Sequence, residues 1–188
     1  MTKLVVTVVG DDRPGLVAAL TDALAAADGN WLESELVSLA GRFAGVALVE
    51  VPDADALHTA LAHLVEDGRL TVTLSPAEEA PSPAPGAPLH VFVMGNDRPG
   101  ILREVSTALA SRRVSIVRLE TVTRHAPMAN ALLFELDADV RVPEGVSLAE
   151  VRGALEKLSS ELVVDFDSDP EVPVDDAWVT EPRDTPGP

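Results

Sequence analysis

Apolar residues in the first 74 positions follow the order strand, helix, strand, strand, helix, strand. A run of β-branched residues favours a buried strand, and leucines that recur every four residues place an apolar stripe on one side of a helix. We therefore predict a first strand from Lys3 to Val9, followed by a helix that has Pro14 in its first turn. The remaining elements are strands at 30–39 and 43–51, which flank a turn at 40–42, then a helix at 53–66 and a strand at 70–74.

The second half of the chain has the same order of elements. The pattern predicts a helix from Pro99 to Ser111 and strands at 89–94, 114–123, 131–140 and 161–166. Ser147 and Glu150 have the spacing of a capping box, so we expect a second helix to begin there. Each half therefore predicts an α+β fold of the ferredoxin-like βαββαβ type, with a four-stranded antiparallel sheet and two helices on one face.

A six-residue segment occurs twice and identifies an internal duplication. Residues 10–15 read GDDRPG and residues 95–100 read GNDRPG, so five of the six positions are identical at an offset of 85 residues. Apolar positions on both sides match at the same offset, as expected for a repeated domain. We predict one domain at 1–74, a Pro-rich linker at 75–88, a second domain at 89–167 and an acidic, Pro-rich tail at 168–188.

Charge and composition exclude several classes of function. The formal net charge is −17, which disfavours binding to nucleic-acid phosphates and to anionic membranes. The chain has no cysteine, so disulfides, thiolate metal sites and a cysteine nucleophile are excluded. The first apolar run, at 4–9, is too short for a membrane span or for a signal-peptide core. We therefore expect a cytoplasmic protein that contacts neither nucleic acid nor membrane directly.

The second repeat is less acidic than the first and contains a group of arginines. It has 9 basic and 12 acidic residues, whereas the first repeat has 4 and 11. A solvated surface of mixed charge is the favoured interpretation, and a docking patch for an acidic protein partner is the alternative. The arginines in question are Arg103, Arg112, Arg113, Arg118 and Arg124.

The repeated turn is the main indication of chemistry. A strand, a Gly-rich turn and a helix in succession place free backbone N–H groups at a helix start, where they attract carboxylates and other anions. The turn is not a phosphate loop, because aliphatic residues at 16–17 and 101–102 stand where Lys and Ser or Thr are required. The purely structural interpretation is a tight connection in which Asp12 and Asp97 cap backbone amides.

At these residues the sequence resembles the ACT-domain family. That family is known for a βαββαβ fold and for a strand-to-helix loop that ends in Arg-Pro-Gly before an aliphatic residue. Residues 12–16 and 97–101 both match that loop, and the resemblance covers about 150 of the 188 residues. Within the family, the chain resembles the tandem ACT proteins related to the glycine cleavage system transcriptional repressor. The stretch at 126–129 adds to that similarity.

The resemblance implies that the protein senses a small ligand, most often an amino acid, between paired ACT domains. Backbone N–H groups after the Arg of each loop would bind the ligand carboxylate, and the Asp of each loop would bind its ammonium group. Asn30 or Ser115, at the start of the second strand of each repeat, would complete the polar lining. By position in the family's motif, the candidate ligand-binding residues are Asp12, Arg13, Pro14, Gly15, Leu16, Asn30, Asn96, Asp97, Arg98, Pro99, Gly100, Ile101 and Ser115.

The resemblance also implies a non-catalytic protein that acts through a protein partner, either a transcription factor or a metabolic enzyme. The paired domains are then the two copies of one chain or copies from two chains of a homodimer. No cofactor is implied. An interaction module that has lost ligand binding is the alternative function. A small enzyme is a third, disfavoured because no candidate acid, base or nucleophile has a convincing partner in the sequence.

Other side chains carry weaker signals. His58 and His63 are five residues apart, so they do not share a helix face, and His90 is isolated in the sequence. No group of His, Asp and Glu has metal-ligand spacing, and we predict no metal site. Ser34 and Ser38 fall on one face of a strand without an evident base.

Overall fold

Each half of the chain folds around its own four-stranded sheet. The computed structural model describes residues 1–66, 68, 70–77, 86–126, 131–158 and 162–167. The chain divides into two compact units, which we call unit 1 (residues 1–81) and unit 2 (residues 82–188). Most of the predicted linker, the whole predicted tail and residues 127–129 of the stretch at 126–129 lie outside the described residues.

The described residues of unit 1 form four strands and two helices. In chain order these are β1 (Thr2–Asp11), α1 (Leu16–Ala26), β2 (Asn30–Leu39), β3 (Arg42–Val51), α2 (Ala54–Glu66) and β4 (Leu70–Pro76). The strands lie side by side in the order β2-β3-β1-β4, and all neighbours are antiparallel. Ala40 and Gly41 have φ angles of 50° and 78°, so a two-residue turn with positive φ at both positions closes the β2–β3 hairpin.

Unit 2 repeats this architecture. Its elements are β5 (Ala87–Asn96), α3 (Ile101–Ala110), β6 (Ser115–His125), β7 (Leu132–Val142), α4 (Leu148–Glu156) and β8 (Leu162–Asp167). The antiparallel strand order is β6-β7-β5-β8, which matches the order in unit 1. The predicted α+β fold with two βαββαβ units is confirmed.

The alternation of apolar residues along the central strand of each sheet directs one face to the helices. Leu4, Val6 and Val8 of β1 are buried in the core of unit 1, because successive strand residues point to opposite faces. Leu89, Val91 and Val93 of β5 do the same in unit 2. The two units therefore have separate cores. Among the described residues, no helix is long and apolar enough to cross a membrane.

The helix that follows each central strand begins later than the sequence predicts. The predicted first-turn positions Pro14 and Pro99 precede the helices, and the N-caps are Gly15 and Gly100 in the left-handed conformation. A residue at an N-cap has non-helical backbone angles, so the prolines cannot belong to the first turn. The capping box at Ser147 and Glu150 is confirmed, since both reciprocal hydrogen bonds are present.

Candidate ligand-binding site

The two repeated loops place unpartnered backbone donors at a helix start. Gly15 has φ 89° and Gly100 has φ 100°, values that glycine adopts far more readily than other residues. The first helical hydrogen bonds run from the Ala19 and Glu104 N–H groups to the Gly15 and Gly100 carbonyls, at 2.9 Å each. Neither N-cap has a side-chain cap. The N–H groups of the first turn are therefore open to an anion.

The strand geometry fixes the approach to each loop. Asp12 donates its backbone N–H to the Gly41 carbonyl at 2.9 Å, and Asp97 donates to the Leu132 carbonyl at 2.8 Å. These bonds extend the central strand's ladder by one residue, so each loop starts beside the neighbouring strand. Asp12 and Asp97 are not the helix caps, because that position is held by glycine in both units.

The loop of unit 1 borders an open cleft. Its volume is about 530 Å³, and its walls come from the loop, the first turn of α1 and the facing ends of β2 and β3. The Asp12 carboxylate accepts a hydrogen bond from the Ser38 hydroxyl. Arg13 is half-exposed and lies 3.6 Å from Asp11. The residues that line the cleft are Asp12, Arg13, Gly15, Leu16, Val17, Ala18, Leu36, Val37, Ser38 and Phe43.

The loop of unit 2 has a different electrostatic arrangement. The Arg98 guanidinium donates two hydrogen bonds to the Glu104 carboxylate, at 2.7 and 2.6 Å. This bidentate geometry is the strong form of an Arg–carboxylate pair. The hydrogen bond from Arg98 is the main cause that lowers the pKa of Glu104 below its ordinary value. At the equivalent position of α1 stands Ala19, so unit 1 has no such partner for Arg13.

The predicted second-strand residues do not lie beside the loop of their own unit. Asn30 pairs with Glu50 at one end of β3, whereas Asp11, next to the loop, pairs with Arg42 at the other end. Eight residues of extended strand separate these ends by about 27 Å. Ser115 pairs with Arg141 in unit 2 and is displaced from its own loop in the same way.

The remaining predicted residues divide between the loop and the core. Leu16 and Ile101 are buried, at 7% and 1% exposure, and pack in the core; Leu16 also reaches the cleft wall. Asn96 is the last residue of β5 and pairs with Leu133. Pro14 and Pro99 connect each strand to its N-cap glycine.

Sequence reasoning missed two residues at the loops. The pattern gives Ser38 no function, yet its hydroxyl donates to the Asp12 carboxylate. Ser38 of β2 and Gly10 of β1 both pair with Phe43 of β3, so the ends of β2 and β1 lie on either side of the start of β3. The motif also gives no function to Glu104, although this residue stands six positions after Arg98 and accepts hydrogen bonds from it. Only the strand order brings Ser38 close to Asp12, so no signal in the sequence could have identified this contact. The four-residue offset from the N-cap Gly100 could have indicated that Glu104 faces the loop.

The isolated histidine of the sequence is not isolated in the fold. His90 lies between two aspartates of β7, with Nδ1 3.1 Å from Asp139 Oδ1 and Nε2 3.2 Å from Asp137 Oδ2. The ring nitrogens face separate carboxylates rather than a shared point. Within the parts of the chain that the structure describes, no group of three His, Asp or Glu side chains could hold a metal ion.

The comparisons with known proteins agree with this geometry. Models of the ACT domain match residues 2–74 and 90–160. The chain therefore belongs to the ACT-domain family and carries two ACT domains in tandem.

Two solved structures resemble the chain over most of its length. A protein of unknown function from Galdieria sulphuraria is 30% identical, with a TM-score of 0.78, and the match covers 88% of this chain and 97% of that one. A candidate glycine cleavage system transcriptional repressor is 18% identical, with a TM-score of 0.60, over 89% of this chain and 98% of its own. At 18% identity the second match supports the fold alone.

A shorter relative matches part of the chain. A UPF0237 protein of Methanopyrus kandleri is 44% identical over 55 residues, which is 29% of this chain. The match spans 61% of that protein's length.

Proposed function

We propose that this protein is a non-catalytic sensor of a small amino acid, such as glycine or serine, and that it regulates a partner protein. The observation that carries the proposal is the pair of left-handed N-cap glycines, each next to an Asp-Arg-Pro segment. An amino acid needs donors for its carboxylate and an acceptor for its ammonium group. The first-turn N–H groups supply the donors, and Asp12 or Asp97 supplies the acceptor.

The walls of the unit 1 cleft offer both polar and apolar groups to an amino acid. Leu36 and Phe43 present apolar surface beside the polar groups of the loop. Both kinds of group are available to a ligand whose carboxylate binds at the first turn of α1. Glycine and serine are the candidates that the similarity to a glycine cleavage system transcriptional repressor favours.

A complete site takes residues from two ACT domains. Asn30 and Ser115 lie about 27 Å along the strand from the loop of their own unit, so they can complete only a site whose loop belongs to another domain. That domain is either the other copy in the chain or a copy in a homodimer. The two sites need not be equivalent, since one has Asn and the other Ser at this position.

Regulation through a protein partner is part of the proposal. The net charge of −17 opposes direct contact with DNA, so an effect on transcription of glycine-metabolism genes would pass through a transcription factor. A metabolic enzyme is the other kind of partner. A cytoplasmic location remains a prediction from the sequence.

An interaction module without a ligand is the second candidate. Two observations favour it: Asp12 already accepts a hydrogen bond from Ser38, and Arg98 is already paired with Glu104. All residues of the edge strand β6 are exposed, which suits pairing with a strand of another domain. This candidate predicts a stable complex whose melting does not respond to amino acids.

A thermal-shift screen against the twenty amino acids separates the two candidates. A ligand at 100 times its dissociation constant stabilises the folded state by about 2.7 kcal/mol. We expect a selective rise in melting temperature with one or a few small amino acids, and loss of that rise in Asp12→Ala or Asp97→Ala. Asp22→Ala is the matched control, because Asp22 is an exposed carboxylate of α1 outside the loop. A flat screen would reject the sensor and favour the interaction module.

A further inference from the structure

A second cleft lies in unit 2, away from the repeated loop. It has a volume of about 570 Å³ and lies between the turn after α3 and one side of α4, from the loop before that helix to its C-cap. Clefts of several hundred Å³ are the size that small ligands occupy. Its lining residues are Ser111, Arg112, Arg113, Gly145, Val146, Ala149, Glu150, Gly153, Ala154 and Lys157.

Three cationic side chains share this cleft. Arg112 is held in place by hydrogen bonds from Nη1 to the Ala108 carbonyl at 3.1 Å and to the Ser111 hydroxyl at 3.0 Å. Arg113 and Lys157 form no ion pair with any other residue that the structure describes. Like charges repel each other, so an anion bound among these three cations would stabilise them.

One carboxylate lines the same cleft, but it is already engaged. Glu150 accepts a hydrogen bond from the Ser147 backbone N–H at 2.9 Å as part of the capping box. That hydrogen bond is the main cause that lowers the pKa of Glu150, and the nearby charge of Arg112 contributes least. The capping box also occupies the start of α4. The attraction of this cleft for an anion therefore comes from the three cations and not from the helix end.

The corresponding corner of unit 1 shows that the fold does not require this charge. At the offset of 85 residues, Arg112 and Arg113 correspond to Ala27 and Asp28. Asp28 and Arg113 have the same left-handed backbone, with φ 51° and 57°. Asp and Asn tolerate that conformation better than Arg. Unit 2 therefore places a cation where the backbone favours another residue.

We propose that this cleft binds a small phosphate-bearing molecule. Guanidinium groups form paired hydrogen bonds with phosphate oxygens, and a dianion balances the three cations and one carboxylate of the lining. A nucleic-acid polymer is disfavoured as the source of the phosphate, because its other phosphates would face the strongly acidic remainder of the chain. The cleft shares no residue with the proposed amino-acid site.

Titration of the full chain with pyrophosphate, followed by amide NMR, tests the proposal. We expect saturable shifts of the Gly145 and Gly153 amides, which lie in the cleft. The helix starts at Gly15 and Gly100 also attract anions, so any shift there should be the same in the original chain and in a variant that lacks a cleft cation. Arg113→Asn keeps a residue suited to the left-handed backbone and removes one cation. It should weaken pyrophosphate binding at least about tenfold.

Two controls make the result decisive. Arg103→Gln removes an exposed cation of α3 outside the cleft and should leave the affinity within about twofold of the original, as screened surface charges do at 0.15 M salt. Inorganic phosphate should bind more weakly than pyrophosphate, since it makes fewer charged contacts. The proposal is wrong if pyrophosphate shifts neither cleft glycine, or if Arg113→Asn binds it as well as the original chain does.

Discussion

The two repeated loops have nearly identical sequences but differ in what surrounds them. In unit 1 the Asp12 carboxylate is bound by Ser38, and Arg13 is half-exposed. In unit 2 the Arg98 guanidinium is bound by Glu104 from the first turn of the helix. The same motif therefore presents a less available carboxylate in one unit and a less available guanidinium in the other.

This difference shows that a motif defines backbone geometry more strongly than it defines charge. The φ angles of Gly15 and Gly100 agree within 11°, being 89° and 100°. The partners of the loop side chains differ, because Glu104 of α3 binds Arg98 where α1 has Ala19, and Ser38 at the end of β2 binds Asp12. We therefore expect the units to resemble each other in folding and to differ in ligand affinity.

The largest losses of stability are expected when a buried leucine is truncated in one of the two separate cores. Leu57 and Leu155 are each 1% exposed, and truncating such a leucine costs about 2–5 kcal/mol. Leu57→Ala should expose the amides of the unit 1 sheet to hydrogen exchange, and Leu155→Ala those of the unit 2 sheet. Mass spectrometry of peptides from each sheet measures this. Equal loss of protection in both sheets would show that the units unfold together and that their cores are not independent.

Replacement of the N-cap glycine by alanine should reduce the stability of the two units by equal amounts. A side chain at the left-handed Gly15 or Gly100 costs about 1–2 kcal/mol of stability in Gly→Ala variants, and no neighbouring atom adds a clash closer than 3.8 Å. Urea denaturation measures the change. Gly153→Ala is the matched control, because this helical glycine has open space around it and alanine should stabilise α4 by about 0.5–1 kcal/mol. Unequal losses at Gly15 and Gly100 would show that the loops differ in backbone as well as in charge.

Removal of the Ser38 hydroxyl should sharpen the difference between the loops. Ser38→Ala frees the Asp12 carboxylate and should reduce stability by only about 0.5 kcal/mol, since the bond is exposed. If the proposed sensor function holds, calorimetry should show tighter amino-acid binding at unit 1 and no change at unit 2. Ser34→Ala, on the same strand, is the control. Weaker binding in Ser38→Ala would mean that the hydroxyl itself contacts the ligand.

The smallest effect is the acid dependence of the Arg98–Glu104 pair. The pKa of Glu104 is lowered from its ordinary value of 4.5, so the folded state favours the ionised carboxylate. The stabilisation is fully present above pH 4.5 and is lost as the pH falls through the lowered pKa. Glu104→Gln should therefore be less stable than the original chain at pH 7, and the difference should shrink below pH 4.5.

Urea denaturation at several pH values measures this difference. Glu156→Gln provides a control, since Glu156 has no ion pair among the residues described. A pH-independent difference for Glu104→Gln would show that the pair does not stabilise the fold through its charge.

Most of the fold could be predicted because the strands and helices are determined by local patterns of apolar residues. The alternation of Leu4, Val6 and Val8 and the four-residue spacing in α1 depend only on neighbours in sequence. The predicted starts of α1 and α3 are wrong by two residues. Proline favours the first turn of a helix, but the left-handed backbone of Gly15 and Gly100 places the N-cap after each proline. The sequence identifies the candidate site residues that lie in the repeated loop motif, but not Ser38 and Glu104, which lie outside it.

The sequence by itself determined the duplicated fold and the two Gly-containing loops, because strand alternation, helix periodicity and glycine at positive φ are local properties of the chain. The tertiary structure alone decided which side chains meet. Ser38 reaches Asp12 across 26 residues, and His90 meets Asp139 across 49. Such pairs depend on strand order and register, which bring distant residues together without leaving a periodic signal. The electrostatic state of each loop is therefore a property of the packed sheet and not of the repeated motif.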